Sequence, residues 1–134
     1  MAVQKNIIKN ENMKAVVHLW GDAGDSSTIV LNDLMNSHQT SSSSITLTAD
    51  IAYAYCNASD ATTSSIKVYR GDDSSGTIVL EMHGVSEYPA GMALPSIGLA
   101  NNSSVHIVWE TSGIIVLDLR KGRGYISPNY NVGV

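Results

Sequence analysis

The sequence predicts an all-β protein, an antiparallel β-sandwich, immunoglobulin-like or jelly-roll-like, of about eight short strands. Three observations predict it. Apolar and polar residues alternate at period two, most clearly over residues 105–121, where Val105, Ile107 and Trp109 share one face and Ile115, Leu117 and Leu119 share another. The alternating runs are short and are punctuated by clusters of Gly, Asp and Ser. No run of ten residues carries the 3.6-residue period of an amphipathic helix.

Residues 4–10 alternate weakly and read as an edge strand, broken by Asn10, Glu11 and Asn12. Residues 14–20 form the next strand and lead through a Gly-Asp-Ala-Gly-Asp turn into residues 28–31. Asn32 or Asp33 is placed to cap a single helical turn. Residues 36–44 lack an apolar anchor and are expected to be a mobile loop. Residues 45–55 read as the longest strand, with Ile45, Leu47, Ala49, Ile51, Tyr53 and Tyr55 on one side and Asp50 marking a bulge or break.

A polar loop over residues 57–64 precedes a second pair of strands, 65–70 and 76–82. Pro89 and Pro95 each remove a ladder donor, so residues 86–95 read as a crossover loop whose Tyr88, Met92 and Leu94 seal one end of the core. Residues 105–121 then reverse at Thr111, Ser112 and Gly113. Three units therefore close on Thr-Ile-Val-Leu, Thr-Ile-Val-Leu and Ile-Ile-Val-Leu, and each reads as a hairpin. Regular pairing is expected to end at residues 122–125, leaving residues 126–134 as an extended arm. The expected core is Val17, Leu19, Ile29, Leu31, Leu47, Ile51, Ile66, Val68, Ile78, Leu80, Val105, Ile107, Trp109, Ile115, Leu117 and Leu119.

The chain of 134 residues is of single-domain length, with extended arms at residues 1–10 and 122–134. A net charge of −4 with scattered basic residues argues against nucleic-acid binding, and no run approaches the length of a membrane span. The start of the chain lacks a hydrophobic signal core, so synthesis and retention in a cytosol are expected, unless a particle carries the protein out. Cys56 is the only cysteine, which excludes an intrachain disulfide, and it reads as a buried small residue rather than a nucleophile.

His18, His38, His83 and His106 never fall at metal-ligand spacing, so no metal or other cofactor is expected. Asp22, Asp25, Asp72 and Asp73 read as turn residues rather than calcium ligands. Arg70, Gly71 and Asp72 spell an integrin-attachment tripeptide that chance supplies often. Neither a nucleophile elbow nor a phosphate loop is present, so an enzyme is not expected. The arms supply the candidate partner contacts, Ile7, Ile8, Tyr125, Ile126, Tyr130 and Val132, which could pair with a neighbouring chain by strand addition.

Residues 10–34, the Ser-Ile-Thr-Leu-Thr stretch from Ser44, the unit over residues 66–80, and the close through residues 114–121 to Gly124 and Tyr125 together resemble small virion structural proteins of marine tailed phages, especially cyanophages. The resemblance implies a non-enzymatic particle component located in the virion and made in the host cytoplasm. A capsid decoration protein is the leading expectation, with a neck or tail structural protein as the alternative. The implied partners are the major capsid protein or other virion proteins, or further copies of this chain, with no nucleic acid and no membrane. A carbohydrate- or host-binding module is the rival from another class, and would need Trp20, Tyr53, Tyr55 or Tyr69 as an exposed platform.

Overall fold

A computed structural model describes residues 3–11, 13–36, 39–41, 47–60, 62–88, 102–122, 125–127 and 130–131. Its larger sheet contains β1 (Gln4–Asn10), β2 (Lys14–Gly21), β5 (Ala49–Ala58), β8 (Val85–Tyr88) and β10 (Gly113–Lys121), in the order β1-β2-β10-β5-β8. Its second sheet contains β3 (Ser26–Ile29), β6 (Ile66–Arg70), β7 (Thr77–Met82) and β9 (Val105–Trp109), in the order β3-β9-β6-β7. Every pairing in both sheets is antiparallel.

The two orders match strand for strand. The chain turns a corner from one sheet to the other between β2 and β3, between β5 and β6, between β7 and β8, and between β9 and β10. Corner-linked arms therefore face each other across the core, and each pairs sideways with the arms of the neighbouring corner. This double winding of an antiparallel ribbon is the jelly-roll form of the sandwich.

That path corrects two of the three expected hairpins. The units over residues 14–31 and 105–121 each divide between the sheets, so β2 pairs with β10 and β3 pairs with β9. Period-two alternation reports which side of a strand is buried, and both arms of a corner bury one side just as both arms of a hairpin do. Of the three units, the one over residues 66–80 is the hairpin expected, with β6 paired to β7.

Two bulges decide which residues enter the core. Asp118 pairs with Tyr53 but Leu119 pairs with Ile51, so Ala52 is an extra residue on β5. Ala49 and Ile51 are buried before it and Ala54, Cys56 and Ala58 after it, which turns Tyr53 and Tyr55 to the side opposite the one expected. On β7, Val68 pairs with Leu80 and Tyr69 with Ile78, leaving Val79 extra. Ile78 is consequently 44% exposed, not in the core, while Val79 packs against it.

Leu47 packs against the core only partly buried, and Leu34 and Met82 join the expected members inside. Leu31–Leu34 is a 3-10 turn whose N-cap is Val30, with no side-chain cap, so neither Asn32 nor Asp33 caps it. Residues 85–88 are a strand paired to β5, not the start of a loop, and Tyr88 packs half-buried against the core. Pro89, Met92, Leu94 and Pro95, and most of the expected 36–44 loop, lie outside the described residues. The expected C-terminal arm is paired within its own chain: β11 (Tyr125–Ser127) lies between β12 (Tyr130–Asn131) and β4 (Thr40–Ser41).

Candidate functional site

Directly opposed residues of an antiparallel pair point to the same side of the sheet, so the registers define what the larger sheet shows to solvent. One outward row runs Trp20, Ile114, Asn57 and Val85; the next runs His18, Val116, Tyr55 and Glu87; a third runs Val16, Asp118 and Tyr53. Val85 is 71% exposed, and Val16, His18, Trp20, Ile114, Val116, Tyr53 and Tyr55 are each half-buried. The inward residues of the same strands are Val17, Leu19, Ala54, Cys56, Ile115 and Leu117, all buried.

The distribution on β5 is inverted relative to an ordinary solvated sheet. Its inward positions past the bulge are Ala54, Cys56 and Ala58, and its outward ones include Tyr53 and Tyr55. Small inward residues take little of the core's volume, which larger buried side chains, Trp109 among them, fill. An apolar and aromatic sheet face bordered by charge is the anatomy of a contact surface.

The face is ordered. The His18 and Trp20 rings lie 5.0 Å apart between centroids. The Tyr53 hydroxyl donates to Glu87 Oε2 at 2.8 Å, and that acceptor raises the phenol's pKa above its ordinary value. Charge gathers at the end away from the corners, where Lys14 Nζ lies 4.0 Å from Asp118 Oδ2 and Arg120 pairs in register with Asp50.

That end of the sandwich is closed by two buried cations. Arg70 donates through Nη1 to the Ala49 carbonyl at 2.8 Å and through Nη2 to the Ser103 carbonyl at 2.7 Å. The Arg70-Gly71-Asp72 tripeptide therefore offers no free arginine to a receptor. Lys121 is 2% exposed, and its Nζ donates to Asn10 Oδ1 at 2.6 Å, to the Glu11 carbonyl at 2.7 Å and to Gln39 Oε1 at 2.7 Å. Burial pushes the Lys121 ammonium down to about 8.

Candidate reactive groups are occupied structurally. Cys56 is buried in β5, and burial pushes its thiol up to about 11. His106 Nδ1 lies 2.7 Å from Thr28 Oγ1, which also donates to the Asp72 carbonyl at 3.3 Å. Satisfying both contacts makes His106 the donor from Nδ1, a tie rather than a base poised on a hydroxyl. Asp25 accepts from the Asp22 N–H at 2.8 Å and Asp73 from the Ser75 N–H at 2.9 Å, the turn chemistry expected of them. Among the described residues no three His, Cys, Asp or Glu side chains converge as metal ligands, and no helix is long and apolar enough to cross a membrane.

The candidate partner residues separate into two groups. Ile7 and Ile8 lie on β1, 39% and 59% exposed. Tyr125 and Ile126 lie on β11 and Tyr130 on β12, in the small sheet, while Val132 lies outside the described residues. Among the described residues no strand pairing joins the two groups. The outer face of the larger sheet was legible only as separate aromatics, because the bulge at Ala52 decides where Tyr53 and Tyr55 point. Tyr69, named with them as a platform residue, lies on the other sheet beside His106.

No protein-family model matches the chain, and no curated protein matches it. Among solved structures it is similar to an RmlC-like cupin protein from Desulfovibrio desulfuricans, at 5% identity and a TM-score of 0.44, over 89% of this chain and 82% of that one. An RmlC-like cupin from Shewanella frigidimarina is similar at 11% identity and a TM-score of 0.40, over 90% of this chain and 76% of that one. KdgF from Halomonas sp. is similar at 8% identity and a TM-score of 0.39, over 89% and 80%. The fold assignment rests on the strand pairings, and these likenesses add no chemistry to it.

Proposed function

We propose that this chain is a non-enzymatic virion structural protein, a capsid decoration protein that docks on a phage shell through the outer face of its larger sheet. The observation that carries the docking surface is the inversion on β5, with Tyr53 and Tyr55 outward and Ala54, Cys56 and Ala58 inward. Trp20, Ile114 and Val116 extend that surface across two more strands. With strands about 4.8 Å apart and residues about 3.3 Å apart, the face covers on the order of 300 Å². A patch of that size binds weakly alone and strongly when many copies meet a repeating lattice.

The non-catalytic reading draws support from the raised thiol of Cys56 and the tied hydroxyl of Thr28. The virion assignment comes from the sequence resemblance, and the major capsid protein is the proposed partner. A neck or tail protein would use the same face on a different ring of subunits.

The test is co-sedimentation of the purified chain with expanded tailed-phage shells stripped of accessory proteins. Saturable binding that Trp20→Ala and Tyr55→Ala weaken supports the proposal; absence of binding to shells, necks and tails alike removes it. A second reading, a carbohydrate-binding module, is favoured by one observation: Trp20, Tyr53 and Tyr55 share this face. Glycan binding lost in the same variants, without shell binding, would select it.

A further inference from the structure

The larger sheet has five strands and the second sheet four, and four corners join them as β2 to β3, β10 to β9, β5 to β6 and β8 to β7. β1 is left over. It pairs only with β2, and among the described residues no strand of the second sheet lies beyond β3 to face it. Lys5 and Ile7 pair in register with Leu19 and Val17, both fully buried, so they point to the inner side of the sheet. On any other strand those positions would be core; on β1 every residue from 4 to 9 is exposed, with Ile7 at 39%.

The exposed inner side of β1 and the edge of β3 that no strand among the described residues pairs therefore frame one vacant strand position. An extended segment that paired with β3 along Ser26–Ile29 would lie under β1, cover Ile7 and complete a five-on-five sandwich. We propose that this position takes a donor strand from another polypeptide, whose core-facing side presents an aliphatic residue and, two positions along, an aspartate or glutamate.

The charge of the site selects that occupant. Residues 4–10 hold Lys5 and Lys9 and no acidic residue, in a chain of net charge −4. Lys5 and Ile7 lie two positions apart on the inner side of β1, so on the core-facing side of the donor an aliphatic residue meets Ile7 and the carboxylate two positions along meets Lys5. Lys9, past the register shift, pairs with Val16 and so points to the outer side, where its Nζ lies 3.8 Å from Glu11 Oε2; Lys5 is the cation of β1 that faces the vacancy. A second copy of β1 is a poor donor, because it would bring lysine towards lysine. The other edges of the two larger sheets differ: β8 carries Glu87, and β7 carries Glu81 and the bulge at Val79.

This inference uses a different surface from the docking face, so each can fail without the other. The test is titration of the full chain with two short capped peptides, in which every second residue is in turn valine and glutamate, or valine and lysine, with threonine between them, followed by amide hydrogen exchange. The acidic peptide should bind on the order of tenfold more tightly than the basic one and slow exchange at residues 26–29. Lys5→Glu should reverse the preference, and Ile7→Thr, a change at an exposed position, should weaken both peptides. Equal binding of the two peptides, no saturable binding at millimolar peptide, or protection confined to β7 or β8 would overturn the proposal. So would concentration-dependent dimerisation of the chain that protects residues 26–29, since the occupant would then be a second copy.

Discussion

The indole of Trp109 fills the space that a side chain on Gly21 would need: a Cβ at position 21 would stand 3.0 Å from Trp109 Cδ2. The two residues lock adjacent corners of the jelly roll. The Gly24 N–H donates to the Trp109 carbonyl at 2.8 Å, the Trp109 N–H to the Asp25 carbonyl at 2.9 Å, and Trp109 Nε1 to the Gly113 carbonyl at 3.1 Å. One tryptophan thus ties β2, β3, β9 and β10 together where they change sheets.

Gly21→Ala should therefore destabilise the fold by about 1–3 kcal/mol through overpacking against the indole. Gly113→Ala should cost more, because its Cβ would fall 2.5 Å from the Asn57 carbonyl oxygen, a backbone atom that cannot rotate away. Urea unfolding of both variants checks the order, and a smaller loss for Gly113→Ala would contradict it.

The corner also shows what the sequence could and could not convey. The alternation of residues 105–121, the turn at Thr111 to Gly113 and the buried set around Trp109 were all legible, because side-chain period and turn composition are local properties. Whether the two arms pair or separate was not. It depends on contacts between residues far apart in sequence, such as Leu19 with Ile115 and Thr28 with His106. Ala52 and Val79 carry no compositional sign of being extra residues, so alternation alone places Ile78 in the core and Tyr53 and Tyr55 on the side of Ile51, and the bulges reverse both. Ile7 and Ile8 were recognisable as exposed aliphatics, but the vacancy beneath them follows from strand order alone.

Lys121→Met should destabilise the protein by about 1–3 kcal/mol at neutral pH, because Asn10, Glu11 and Gln39 lose a shared donor. The wild type should also show a pH signature that the variant lacks. The folded-state pKa of Lys121 is lowered to about 8 from 10.5, so between those values the unfolded chain binds more protons. Stability then rises with pH across that window, with a slope of up to about 1.4 kcal/mol per pH unit. Below the window both states are protonated and the contribution is constant. Thermal or urea unfolding of both proteins through the window should show the gap widening as pH rises.

Cys56 should resist thiol reagents in the folded protein. It is fully buried with a thiol pushed up to about 11, so reaction with an aromatic disulfide reagent near neutral pH should be at least about a hundredfold slower than in the unfolded chain. Labelling at the unfolded rate under native conditions would contradict the placement of β5.

The two tryptophans should differ sharply towards a water-soluble quencher. Trp109 is fully buried, and Trp20 is half-buried on the outer face of the larger sheet. Acrylamide quenching should resolve two populations, and Trp20→Phe should remove the accessible one while leaving the protected one intact.

The measurement that bears most directly on the account is shell co-sedimentation of wild type against Trp20→Ala, with the remaining Trp109 emission confirming that the variant is folded. The account predicts saturable binding by the wild type and at least a tenfold loss, about 1.4 kcal/mol per site, in the variant. Equal binding by wild type and a folded Trp20→Ala would contradict the claim that the outer face of the larger sheet is the docking surface.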